Sequence, residues 1–108
     1  MIPPQFKSRF EGDSGVDIGR QEIDVLFPDG EKRRVVLRVG APFQKEDFVG
    51  IRAELENLDR TDGPLCGEGS LHTLVIGVAF IIGRLEAFER KHGCRYFWPD
   101  SEHPFDYR

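Results

Sequence analysis

EIDVLFPDGEKRRVVLRV, residues 22–39, reads as two strands joined by a tight turn. Ile23, Val25 and Phe27 alternate with Glu22 and Asp24, which is the period of a half-buried strand. Val35, Leu37 and Val39 repeat that pattern against Arg34 and Arg38. Between the two runs stands Pro28-Asp29-Gly30, with Pro suited to the first central position of a type I turn and Gly to a left-handed one. A three-residue loop fixes the register. It sets Ile23 opposite Val35, Val25 opposite Arg33, and Asp24 opposite Arg34 on the polar face. Apolar then meets apolar and opposite charges meet, apart from the frayed pair next to the turn, and such cross-strand pairs contribute roughly 0.2–1 kcal/mol each. A slip of one residue would turn Ile23 and Val25 outward.

Outward from the hairpin, with the first strand over 20–27 and the second over 31–39, the chain divides simply. Residues 1–15 hold two prolines and two glycines with no sustained period and read as an N-terminal arm, with Phe6 and Phe10 as local anchors. Residues 16–100 form the domain, and 101–108 are an acidic, aromatic tail. Gly40-Ala41-Pro42 ends the second strand and 43–47 connect to a third. That strand, 48–58, turns Val49, Ile51, Ala53 and Leu55 inward and Arg52, Glu54 and Glu56 outward. A breaker-rich loop covers 59–69.

Ser70 suits an N-cap, and 71–92 carry the helical period. Leu71, Leu74, Val75, Val78, Ile82 and Leu85 recur at spacings of three and four and predict the sheet-facing stripe. Arg90, Lys91 and His92 meet the negative end of the helix dipole, and Gly93 stops the helix. Residues 94–98 predict a short last strand before Pro99. The fold class is therefore α+β: an antiparallel meander of three to four strands packed on one long helix.

Composition narrows the function. One domain accommodates the 108 residues, and a hydrophobic content of 39%, with nine phenylalanines, supplies one core. The net charge of −4 argues against nucleic acid or an anionic membrane as partner, since both require a basic face. Strand alternation splits the one dense basic run, Lys32-Arg33-Arg34, between two faces. No stretch of about 20 consecutive apolar residues is found, and Met1-Ile2-Pro3-Pro4 lacks the order of a signal peptide, so a cytoplasmic location is expected.

Residues 34–42 (Arg-Val-Val-Leu-Arg-Val-Gly-Ala-Pro) and 67–74 (Gly-Glu-Gly-Ser-Leu-His-Thr-Leu) resemble a family of small bacterial domains of unknown function. Those domains share a V-x-V-R-[IV]-G-x-P strand, a helix opening G-x-[DE]-S-L-x-[AT]-L, and a terminal strand bearing a Trp, here Trp98. The resemblance covers about residues 20–100. It departs at Gly69, where the family carries an acidic residue, and at Gly77 and Gly83 within the helix. It implies a β-meander packed on one helix and bacterial origin, and it brings no catalytic residue.

The sharpest chemical candidate is Cys66, four residues before the helix start, where a thiol's pKa can be lowered. A base would have to come from His72, in the first turn, or from His103, if the tail runs back along the helix. His92 stands at the far end. Cys66 and Cys94 flank opposite ends of the helix, beyond disulfide reach, and Cys94 reads as a small apolar filler. Gly67-Glu68-Gly69 lacks the third Gly and the Lys of a phosphate loop. Glu11, Asp13 and Asp17 lack calcium-loop spacing. Three dispersed histidines and two separated cysteines make no zinc site, and no cofactor is implied.

Opposite the predicted stripe lie Ile76, Phe80, Gly83 and Ala87, flanked by Thr73 and Gly77, where a surface helix should be polar. Three coverings suit this second apolar face: the aromatic tail (Phe97, Phe105, Tyr107), a second protomer about a two-fold axis, or another ligand in a groove. The leading functional reading is a non-enzymatic interaction or assembly module, a homodimer or the docking site of another protein. A small thiol-dependent enzyme centred on Cys66 and an acidic adaptor or toxin-neutralising protein are the alternatives.

Overall fold

A computed structural model describes residues 11–61 and 63–108. Phe6 and Phe10 of the arm lie outside these residues. In chain order the elements are β1 (Asp17–Leu26), β2 (Lys32–Gly40), β3 (Phe43–Gln44), β4 (Val49–Ile51), β5 (Ala53–Glu56), β6 (Leu65–Gly67), α1 (Ser70–His92) and β7 (Arg95–Phe97). They build a four-stranded antiparallel sheet, β5-β2-β1-β7, and a three-stranded one, β3-β4-β6. The long helix packs on both, and the architecture is α+β.

The hairpin has the expected register: Ile23 faces Val35, Asp24 faces Arg34 and Val25 faces Arg33. Its turn closes through the Phe27 N–H on the Glu31 carbonyl (2.8 Å) and the Gly30 N–H on the Phe27 carbonyl (3.0 Å). Gly30 adopts φ 93°, the left-handed region that favours glycine. Ile23, Val25 and Val35 are completely buried. On the opposite face, Arg38 pairs with Glu56 (2.9 Å), and Arg34 with Asp24 (2.6 Å) and Asp100 (2.8 Å). The basic run thus belongs to a lattice of ion pairs.

Asp24 anchors that lattice although it is itself buried. Arg34 Nε donates to its Oδ1 (2.6 Å) and the Asp100 N–H to its Oδ2 (2.7 Å). Burial alone pushes its pKa up. These two hydrogen bonds and the charges of Arg34 and Lys32 outweigh burial and hold the carboxyl below its ordinary value. A depressed folded-state pKa adds stability above the unfolded value, near 3.9, and loses it as pH falls through the folded value. Urea unfolding between about pH 4 and pH 2 should therefore show a steeper stability loss in the wild type than in Asp24→Asn.

The third strand departs from expectation. Residues 49–56 change sheets at Arg52, with β4 pairing β3 and β6 while β5 pairs β2. The connection 43–47 contributes β3, and the loop 59–69 contributes β6. Arg52, expected outward, is only 5% exposed. Its Nε meets Asp13 Oδ2 at 2.7 Å and its Nη2 meets Asp17 Oδ1 at 2.8 Å. Gly40 makes room for it, because a Cβ there would lie 2.8 Å from Nη2. Asp13 and Asp17, set aside as calcium ligands, thus hold a buried guanidinium. Residues 11–15 are tied to the domain through this cluster and through Gly12 against Phe43. The Asp13 side chain is fully enclosed.

The helix begins one residue earlier than expected. Gly69 is the N-cap, in extended backbone and with no side-chain capping bond, and Ser70 is already helical. Gly93 ends the helix in the left-handed conformation, φ 66°, with its N–H on the Glu89 carbonyl. After it, β7 pairs with β1 through Asp24, Val25 and Leu26. The tail then doubles back, donating the Phe105 N–H to the Tyr96 carbonyl (2.9 Å). Trp98 packs edge-on against Phe105, with ring centroids 5.0 Å apart.

Candidate interaction surface

The face that α1 buries is not the predicted one. Thr73, Gly77, Ile81 and Leu85 are buried. Leu71 is 74% exposed, Val75 58% and Val78 45%, while Leu74 and Ile82 are half-buried. At 100° per residue the helix is turned by about 90° from the orientation that the apolar periodicity predicts. Close approach is the cause. Thr73 Oγ1 donates to the Val49 carbonyl (3.4 Å), and a methyl group on Gly67 would run into Thr73. The Cβ position of Gly77 lies 3.3 Å from the Ile51 side chain and 3.6 Å from Val39. Small residues let the helix backbone settle onto the two sheets, and the larger apolar residues are left to the side.

Of the six residues expected on a free second face, Thr73 and Gly77 are therefore buried against the sheets. Phe80 is half-buried, packed on the core with the Arg84 guanidinium 4.9 Å from its ring centre. Ile76 is also half-buried, whereas Gly83 and Ala87 are exposed. The flank that stands free carries Leu71, Val75, Val78 and the half-buried Ile82. No Asp, Glu, Lys or Arg occurs between Ser70 and Gly83.

This flank slopes into an apolar groove of about 180 Å³, with Leu37 and Val39 of β2 along it. Val78, Ile81, Ile82 and Leu85 form its helical wall, and Phe105 and Tyr107 of the tail close one end. The tail thus reaches the C-terminal half of the helix and leaves Leu71 and Val75 open. Tyr107 donates its phenol to Glu89 Oε2 (3.1 Å). Tyr96 donates to the Leu85 carbonyl (2.6 Å) and accepts from the Cys94 thiol (3.6 Å). Burial and the neighbouring Cys94 raise the Tyr96 pKa well above that of a free phenol. Cys94 is buried within this cluster, as an apolar filler should be.

α1 also contains an 18-residue stretch of mean hydropathy 1.7, so it meets the length and composition of a membrane-crossing helix. The expectation that no segment does so is corrected on that measure. Leucine, valine, isoleucine and phenylalanine side chains, with a single charge in its first 15 positions, produce the high value.

Among the described residues, no hydrogen bond joins Cys66 to His72 or to His103. Cys66 is exposed on β6, opposite Gly50, with its Sγ 4.0 Å from the Pro64 carbonyl. The Nδ1 atom of His72 accepts the Glu68 N–H at 3.2 Å. His103 sits beside Trp98, its carbonyl accepting the Trp98 N–H (3.0 Å). Both cysteines are free thiols. Among the described residues no group of three or more His, Cys, Asp or Glu side chains is arranged to hold a metal ion.

Sequence reasoning missed the exposed flank because it assigned those residues to the core. One signal was available: Thr73, Gly77, Ile81 and Leu85 follow a strict four-residue spacing that puts small residues where backbones meet. No family model matches the chain, and searches of curated proteins and of solved structures return no match.

Proposed function

We propose that the protein is a non-enzymatic interaction module that docks through the helix flank Leu71–Val75–Val78–Ile82 and the groove beside it. Support comes from the exposure of three large aliphatic side chains in one stripe, Leu71 at 74%, Val75 at 58% and Val78 at 45%. Contiguous apolar surface of this kind marks sites of protein association. The surrounding chemistry agrees. The opposite face of the main sheet carries an ion-pair lattice of Arg34, Arg38, Asp24, Glu56 and Asp100. β7 covers only Asp24–Leu26 of β1, and the uncovered stretch before them carries Arg20, Glu22 and a register irregularity between Asp17 and Gly19, features that discourage strand addition.

A photo-crosslinking side chain placed at Val75 or Val78 tests the reading in cells. A discrete adduct should form from these positions and not from Arg20 on the outer sheet face. Absence of an adduct at both helix positions would end the proposal.

A further inference from the structure

We infer that the occupant of this flank is a second copy of the same chain, its α1 packed antiparallel across a two-fold axis. The inference rests on the docking role proposed above and adds the partner. Its basis is the symmetry of the stripe. Leu71, Val75, Val78 and Ile82 are spaced four, three and four, which reads the same from either end. The side chains follow the same order, with a large aliphatic residue at each end and two valines between. In an isologous interface, if residue i touches residue j then j touches i. A two-fold axis between Ile76 and Gly77 sets Leu71 against Ile82 of the partner subunit and Val75 against Val78 of the partner subunit. The spacing is also that of a coiled-coil seam, in which two helices run close to antiparallel or parallel.

Charge favours the same partner. Two chains of net charge −4 repel each other at most faces, but residues 70–83 contain no Asp, Glu, Lys or Arg. This flank is where two copies approach with least repulsion. A charged peptide would find no ion-pair partner along it. The seam spans about 17 Å of helix, which places the interface at the small end of specific contacts, below roughly 1,200 Å² in total. The dimer should therefore form in a concentration-dependent way.

Sedimentation equilibrium over a wide concentration range should show the wild type passing from monomer to dimer. Val75→Glu/Val78→Glu should stay monomeric with an unchanged far-ultraviolet circular dichroism spectrum. Register is read by disulfide trapping in a Cys66→Ser background. Val75→Cys mixed with Val78→Cys should cross-link faster than either alone, and so should Leu71→Cys mixed with Ile82→Cys. A wild type that stays monomeric at the highest concentration overturns the inference, as does fastest trapping of Leu71→Cys with itself. The photo-crosslinked adduct separates the two levels. Twice the chain mass supports the self-pair, and an adduct with a different polypeptide alone refutes it while leaving the docking role standing. No adduct refutes both.

Discussion

Replacing Arg52 with methionine should lower the free energy of unfolding by about 3–5 kcal/mol, the cost of removing one partner from a buried ion pair. Arg52 is 5% exposed, and its guanidinium pairs with Asp13, whose side chain is completely enclosed. Methionine fills much of the same volume, so lost packing is a minor part of the effect. The Asp13 carboxylate loses its 2.7 Å contact with the guanidinium while keeping the Gly15 N–H, and Asp17 loses its 2.8 Å contact. The bond from Arg52 Nη2 to the Val16 carbonyl (3.3 Å) is lost as well, so the chain before β1 loses one of its ties to the domain. Adding Asp13→Asn to Arg52→Met should recover part of the stability by removing a buried charge that has lost its guanidinium. Chemical denaturation of both variants measures this directly. A loss below about 1 kcal/mol in the single variant would mean that water reaches the pair and screens it, as at exposed salt bridges.

Leu85→Ala is expected to cost about 2–5 kcal/mol. Leu85 is completely buried, on the inner face of α1, and it belongs to the main core cluster. The substitution keeps the backbone carbonyl, so the bond from Tyr96 remains and the loss is one of packing. Because the side chain also lines the apolar groove, Phe105 and Tyr107 can move inward and reduce the cavity, which favours the lower half of the range. The companion variant is Val75→Ala, at a residue that periodicity places in the same stripe as Leu85. In dilute protein it should change stability by less than about 0.5 kcal/mol, as exposed positions do. Equal losses from the two variants would restore the helix orientation that periodicity predicts and remove the exposed flank.

These two pairs of variants mark where the sequence was legible. In the hairpin, side-chain alternation, turn chemistry and cross-strand charge all select one register, and Ile23 facing Val35 follows from any of them. The helix was legible in its extent, because Gly93 and the apolar period agree, and illegible in its rotation. Periodicity locates large apolar side chains. Rotation was decided by Thr73 and Gly77, whose contribution is to be small at the closest backbone contacts. Ser70 looked like a cap by residue type, yet the extended backbone at Gly69 takes that place. Arg52 was the least readable residue. Alternation assigns it to solvent, and its partners Asp13 and Asp17 lie more than thirty positions earlier, in a stretch with no period of its own. The short strands β3 and β6 were hidden for a related reason, since two or three residues carry no pattern of their own and β4 is their only strand partner.

The strand order has a consequence for synthesis. β1 and β2 are neighbours in the chain, but the other edge of β1 is met by β7, and Asp24 pairs with Phe97. At translation rates of 5–20 residues per second, roughly 4–15 s separate the two partners. Throughout that interval Ile23, Val25 and Val35 lie on a hairpin without its roof, a window in which a chaperone or a neighbouring ribosome's product finds an adhesive ribbon.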